Sequence, residues 1–143
     1  MSTRANIVFL DGKIRELWFY RHSDGYPKGA LPLLETFMKK VIKGEIRDNP
    51  SQSAGWLVLL GHCEYEFEGT RDSWKVGSIE PTDAMHGDIE YLYELNLKAR
   101  EINVYAVGYP NQKLTKLGKV AFGTVICTPV YKGKALEKAM GKS

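Results

Sequence analysis

The feature that most constrains this chain is an Asp-Gly pair set between two strand-like runs: Ile7-Val8-Phe9-Leu10 precedes Asp11-Gly12, and Ile14 to Tyr20 follows. Asp-Gly readily supplies the positive φ angles of a tight type I′ turn, so the spacing predicts a β-hairpin. In the second run Leu17 and Phe19 alternate with Trp18 and Tyr20. Both faces then carry apolar or aromatic groups, which predicts a hairpin well inside a sheet.

The segments that could cover such a sheet come next. Arg21 to Gly29, with two glycines and a proline, breaks periodic structure and reads as a loop. Leu31 to Lys43 reads as a helix, with Pro32 in its first turn, an apolar stripe of Leu33, Leu34, Phe37, Met38, Val41 and Ile42, and Gly44 as its stop. The continuous apolar run Trp56 to Leu60 fits a buried helix or a buried strand; the helix is favoured, capped by Ser51 or Ser53. Glu64 to Glu68 alternates like a strand, and Trp74 to Ile79 reads as another short one.

The second half is strand-rich. From Asp88 to Leu97, Ile89, Tyr91, Tyr93, Leu95 and Leu97 share one face while Asp88, Glu90, Glu94 and Asn96 share the other. Lys98 to Arg100 turns the chain into Ile102 to Val107, which requires an antiparallel pair. Lys119 to Val130 is a further strand, and Gly133 to Ser143 a short or frayed helix. Residues 1–143 are therefore expected to form one α+β domain: a hairpin, one or two helices, then a mainly antiparallel sheet.

Composition excludes several classes. With 43% hydrophobic and 26% charged residues the chain is unlike a disordered polymer. No apolar run approaches the roughly 20 residues that cross a bilayer, so no membrane contact is expected and the cytoplasm is the expected location. Cys63 and Cys127 lack C-x-x-C spacing and read as buried free thiols. Residues 1–96 carry 11 Lys/Arg against 15 Asp/Glu, whereas residues 97–143 carry 9 against 2. The net charge of +3 conceals that asymmetry.

Three groups of residues carry candidate chemistry. The densest is Tyr20-Arg21-His22-Ser23-Asp24-Gly25-Tyr26-Pro27, where Arg21 can fork onto a carboxylate or phosphate, His22 can move a proton, Asp24 can orient it and Tyr26 can make contacts. The structural alternative is an Asp-Gly turn packed onto the core by Tyr26-Pro27. The second is His86-Gly87-Asp88-Ile89-Glu90, whose His86, Asp88 and Glu90 are candidate ligands for Mg²⁺ or Mn²⁺ in a phosphodiester hydrolase. Carboxylates on the polar face of a strand equally need no function. No other cofactor is expected, and His62 reads as a core histidine.

The third group is basic: Lys113, Lys116, Lys119, Lys132, Lys134, Lys138 and Lys142, interrupted by Tyr109, Phe122 and Tyr131. Lysines among aromatics can neutralise phosphates and stack bases, giving nucleic-acid contact without sequence preference. Lysine lacks the fork of arginine, so little base recognition follows.

The Tyr20–Pro27 motif, together with Trp74-Lys75-Val76-Gly77, Glu80-Pro81-Thr82 and His86-Gly87-Asp88-Ile89-Glu90-Tyr91-Leu92-Tyr93, resembles small uncharacterised proteins of phages, prophages and bacterial mobile elements. The resemblance spans about Ile14 to Leu95. It implies a shared fold and, by analogy with such elements, an accessory protein that binds a host or phage protein and blocks host machinery such as a defence system.

Overall fold

The computed structural model describes residues 3–66, 79–123 and 128–141, with the side chains of residues 63–66 excepted. Within them the order is β1 (Ala5–Asp11), β2 (Ile14–Arg21), α1 (Pro27–Ile42), α2 (Pro50–Glu66), β3 (Ile79–Thr82), β4 (Tyr91–Asn96), β5 (Glu101–Gly108), β6 (Lys113–Phe122), β7 (Pro129–Lys132) and α3 (Lys134–Ala139). The strands form one sheet in the order β3-β2-β1-β4-β5-β6-β7. Every pairing is antiparallel except β1 with β4. The architecture is α+β.

All three described helices serve one face of the sheet. Ile7, Phe9, Phe19, Tyr93, Leu95, Ile102, Val104, Val120 and Phe122 form one apolar cluster with Leu31, Leu34, Phe37 and Met38 of α1, Leu57 of α2 and Leu136 of α3. Val8, Tyr20, Ile89 and Leu92 are also buried but stand outside that cluster. By strand alternation Val8, Tyr20 and Leu92 point to the opposite face. Two hydroxyls fasten the helix side: the buried Tyr93 donates to the Gly25 carbonyl at 2.6 Å, and the half-buried Tyr131 on β7 donates to the Glu35 carboxylate on α1.

The hairpin forms, but its turn differs from expectation. Asp11 pairs with Ile14, so Gly12-Lys13 is the loop, and of the two only Gly12 has positive φ, at 63°. Glycine at the first central position with an ordinary second residue is type II′ chemistry rather than I′. Leu17 is also not a core residue. It adopts φ 59° as the extra residue of a β-bulge between Val8↔Trp18 and Phe9↔Glu16, and it is 39% exposed. The tip half of β2 is accordingly exposed.

Both long helices begin earlier than the apolar stripes imply. Pro27 opens α1, so Pro32 lies inside it; the missing N–H of Pro32 frees only the carbonyl of Lys28, an exposed first-turn residue. Pro50 opens α2, and Asn49 caps it in place of either serine, its side chain accepting from the Ser51 N–H at 3.0 Å. The Trp56 run is helical, as favoured, but Trp56 and Leu59 are about half exposed at 47% and 48%. Residues 64–66, read from alternation as strand, continue α2; no proline interrupts them and glutamate favours helix. Phe67 to Ser78, which include the Trp74 to Gly77 motif, and Cys127 lie outside the described residues, as does the side chain of Cys63.

The described basic residues of the third group lie on regular elements. Lys113, Lys116 and Lys119 lie on β6, Lys132 ends β7, and Lys134 and Lys138 are on α3. Gly118 is what lets α3 and β7 close on β6. A Cβ there would fall 2.1 Å from the Lys132 carbonyl oxygen and 2.9 Å from Leu136 Cβ. Among the described residues, no helix is long and apolar enough to cross a membrane.

Candidate functional site

The two polar motifs meet on the face turned away from the helices. Tyr20 and His22 are two residues apart on the β2 side, so alternation sends both to this face and Arg21 to the other. The β3–β4 connection folds over the same end and stacks His86 on Tyr20, with ring centroids 4.0 Å apart and 18° between planes. His22 meets the Tyr20 ring edge-on at 4.7 Å. The Tyr20 hydroxyl donates to Asp88 Oδ2 at 2.7 Å, and Arg4 Nε lies 3.4 Å from the same oxygen.

Backbone and neighbouring side chains then consume the remaining groups. Asn6, fully buried on β1, donates from Nδ2 to the Phe19 carbonyl at 2.7 Å and accepts the His86 N–H on Oδ1 at 2.8 Å. His86 Nε2 is 2.8 Å from Thr82 Oγ1, and its carbonyl accepts from Gln112 Nε2 at 2.9 Å. His22 Nε2 lies 3.0 Å from Glu80 Oε1 in an exposed pair. Tyr109 donates to the Ile89 carbonyl at 2.6 Å. Burial first, and then the hydrogen bond to Asp88, push the Tyr20 phenol up to about 12. It stays protonated at neutral pH and makes a poor base.

Of the sequence-level candidates, the structure gathers Tyr20, His22, His86 and Asp88 and disperses the rest. Arg21 is 1% exposed, and its guanidinium reaches the carbonyls of Asp24 at 3.2 Å and Gly29 at 3.4 Å. It organises the loop from inside and offers no surface to a partner. Asp24 is exposed at φ 53°, and Tyr26 is 42% exposed as the residue preceding α1. Asp88 and Glu90 do not project from a strand, because β4 begins only at Tyr91. Glu90 is held by its backbone, its N–H donating to Arg4 O at 2.8 Å and its carbonyl accepting from Val107. Among the described residues no three His, Cys, Asp or Glu side chains are gathered to hold a metal ion, the His86, Asp88 and Glu90 set included. His62 is exposed on α2 rather than in the core.

Asn6 and Arg4 were missed by motif reading. The available signal was a lone amide inside the apolar run of Ala5 to Leu10, a group that burial obliges to find partners.

The other end of the same face is basic. One row runs across the sheet through Glu80, Tyr20, Asn6, Leu92, Tyr105 and Lys116, and the next through Thr82, Trp18, Val8, Glu94, Asn103, Lys119 and Lys132. Lys116 and Lys119 are three apart and would face oppositely on a regular strand. They share a face because Leu117 is an extra, bulged residue between Tyr105↔Lys116 and Val104↔Gly118. The bulge at Leu17 unites Arg15 with Trp18 in the same way. Lys113 alternates to the opposite face from Lys116.

Tyr105 sits between cations, with Arg15 Cζ 5.8 Å and Lys116 Nζ 6.0 Å from its ring centroid. Burial, followed by the nearby Glu94 carboxylate, raises its pKa. Arg15 Nε donates to Glu94 Oε2 at 2.5 Å, Asn103 donates to Glu94 Oε1 at 3.1 Å, and Lys119 reaches Glu101 at 2.9 Å. A separate cleft of about 260 Å³ lies towards the opposite end of β1, lined by Leu10, Asp11, Glu16, Asp48, Pro50, Leu97 and Lys98. It contains none of the motif residues. No protein-family model, curated protein or solved structure matches the chain, so the site is read from its own chemistry.

Proposed function

We propose that this chain is a non-catalytic binding protein whose working surface is the sheet face turned away from the helices. One observation carries the reading: the motif side chains that the structure gathers, Tyr20, His22, His86 and Asp88, are spent on one another and on their neighbours. Tyr20, His86, Asp88, Asn6 and Arg21 each hold neighbours in place, and the phenol best placed to act as a base is pushed up to about 12. A catalytic group instead needs an open valence aimed at a substrate and a pKa near the working pH. The motifs are then a structural knot, and recognition falls to the surfaces they support. The resemblance to small phage and mobile-element proteins extends the proposal to an accessory protein that works by occupying a component of host machinery.

The test is turnover. Single- and double-stranded oligonucleotides and nucleoside triphosphates incubated with the protein and Mg²⁺ or Mn²⁺ should remain intact. Cleavage that disappears in folded His22→Ala or His86→Ala variants would make the cluster an active site and end the binding reading.

A further inference from the structure

Resting on that binding reading, we infer that the basic end of this sheet face, formed by β5, β6 and β7, binds single-stranded nucleic acid through its backbone, with one base stacked on Tyr105. Three observations converge. First, the bulge at Leu117 is what brings Lys116 together with Lys119, so two charges that a regular strand would send to opposite faces are concentrated on one surface.

Second, Lys119 and Lys132 are directly opposed across β6 and β7. Like charges so placed destabilise a strand pair. Glu101 offsets one of them, at 2.9 Å from Lys119, which leaves Lys132 exposed beside Lys116 on a surface that a polyanion would relieve.

Third, the half-buried Tyr105 lies in the row that ends at Lys116. An aromatic ring beside Lys116, with Lys119 and Lys132 in the next row, supplies the two elements that bind single strands without sequence preference: a stacking platform and phosphate neutralisation. Lys116 is exposed and reaches the ring only through its flexible stem, so a base takes the ring while the ammonium moves to a phosphate. The lysines lack a bidentate fork and lie on strands, not on a helix fit to enter a groove, which favours single strands over a read duplex. The acidic residues Glu80 and Asp88 at the far end of the face keep the strand to the β5–β7 side.

The experiment is fluorescence anisotropy with labelled oligo(dT) and oligo(U) of about 20 nucleotides. Binding of both is expected, weakening about 15- to 20-fold between about 50 and about 200 mM salt, as about three phosphate contacts in a single strand require. Lys116→Glu/Lys132→Glu should weaken it by at least about tenfold with an unchanged melting temperature, since both side chains are exposed. Tyr105→Leu should weaken it by about tenfold.

No binding at low salt, or binding untouched by the double charge reversal, overturns the inference. Equal affinity for a duplex of the same length, insensitive to Tyr105→Leu, overturns the single-strand assignment. Polyglutamate competing as well as oligo(dT) makes the ligand any acidic chain, such as an acidic protein surface; that result removes nucleic acid and leaves the binding reading standing. Oligonucleotide that binds as expected but is cleaved with Mg²⁺ has the opposite effect, keeping the ligand and removing the non-catalytic reading.

Discussion

The two ends of one sheet face use polar residues in opposite ways. At the β2–β3 end, Tyr20, His86, Asp88 and Asn6 hydrogen-bond inward, and the sequence density that makes them conspicuous is the density needed to pin a long β3–β4 connection onto the strands. At the β6–β7 end the lysines are sparse in sequence, yet the bulge at Leu117 and the β6–β7 pairing collect them on one solvent-facing surface. A buried polar network contributes to uniqueness of the fold only while every member is satisfied. A surface charge does little for stability and is free to act on something else.

That contrast predicts separable effects: variants of the knot should change stability and leave oligonucleotide affinity alone, and variants of the lysines should do the reverse. The largest loss is expected where the basic end is closed. Gly118→Ala forces a Cβ against the Lys132 carbonyl and Leu136, and should lower unfolding free energy in urea by about 3 kcal/mol or more. It is the one substitution that should damage stability and binding together. Asn6→Leu should cost about 2–4 kcal/mol, because it strands the Phe19 carbonyl and the His86 N–H in a buried site. Its folded fraction should still bind oligo(dT) with wild-type affinity.

Tyr93→Phe is expected to cost about 1 kcal/mol, the worth of its bond to the Gly25 carbonyl. Tyr20→Phe should have a similar cost near neutral pH, with a distinctive pH dependence. The folded pKa of Tyr20 is about 12, above an unfolded value of about 10. Its contribution is therefore complete below about pH 10 and disappears as pH rises towards 12. Tyr93, Tyr105 and Tyr131 are raised as well, so the variant should flatten part of the alkaline loss of stability and not all of it. The smallest effect should come from Leu17→Gly. Relief of a left-handed residue, set against the entropy of glycine, should raise stability by at most about 1 kcal/mol, read as a small rise in melting temperature.

Much of the fold was legible because period-2 and period-3.6 patterns are local. The hairpin, the α1 stripe and the Tyr91 to Asn96 part of the β4 alternation appear where the residues place them. Bulges are not local in that sense. Leu17 reads as an ordinary member of its strand and Leu117 falls before the strand expected from Lys119, and only the register against β1 and β5 shows each to be an extra residue that reverses the alternation beyond it. The helix starts are not legible because Pro27 lies in a stretch that reads as a loop and the serines after Pro50 read as caps, although proline suits the first helical position equally well.

The candidate site was half legible. Motif density located Tyr20, His22, His86 and Asp88, which do converge, but density cannot distinguish a group that faces a partner from one consumed by its neighbours. Arg21 illustrates the limit: a guanidinium beside a histidine reads as an anion fork, and one residue of strand parity sends it into the interior.

If the sheet face acts at its basic end and is merely held together at its motif end, a bound ligand should disturb only the first. Amide chemical-shift mapping during titration with oligo(dT) tests it most directly. The account predicts that shifts concentrate at Tyr105, Lys116, Lys119 and Lys132 while Tyr20 to Pro27 and His86 to Glu90 stay still. Shifts centred on Tyr20, His22 and His86, with β6 and β7 unmoved, would contradict it.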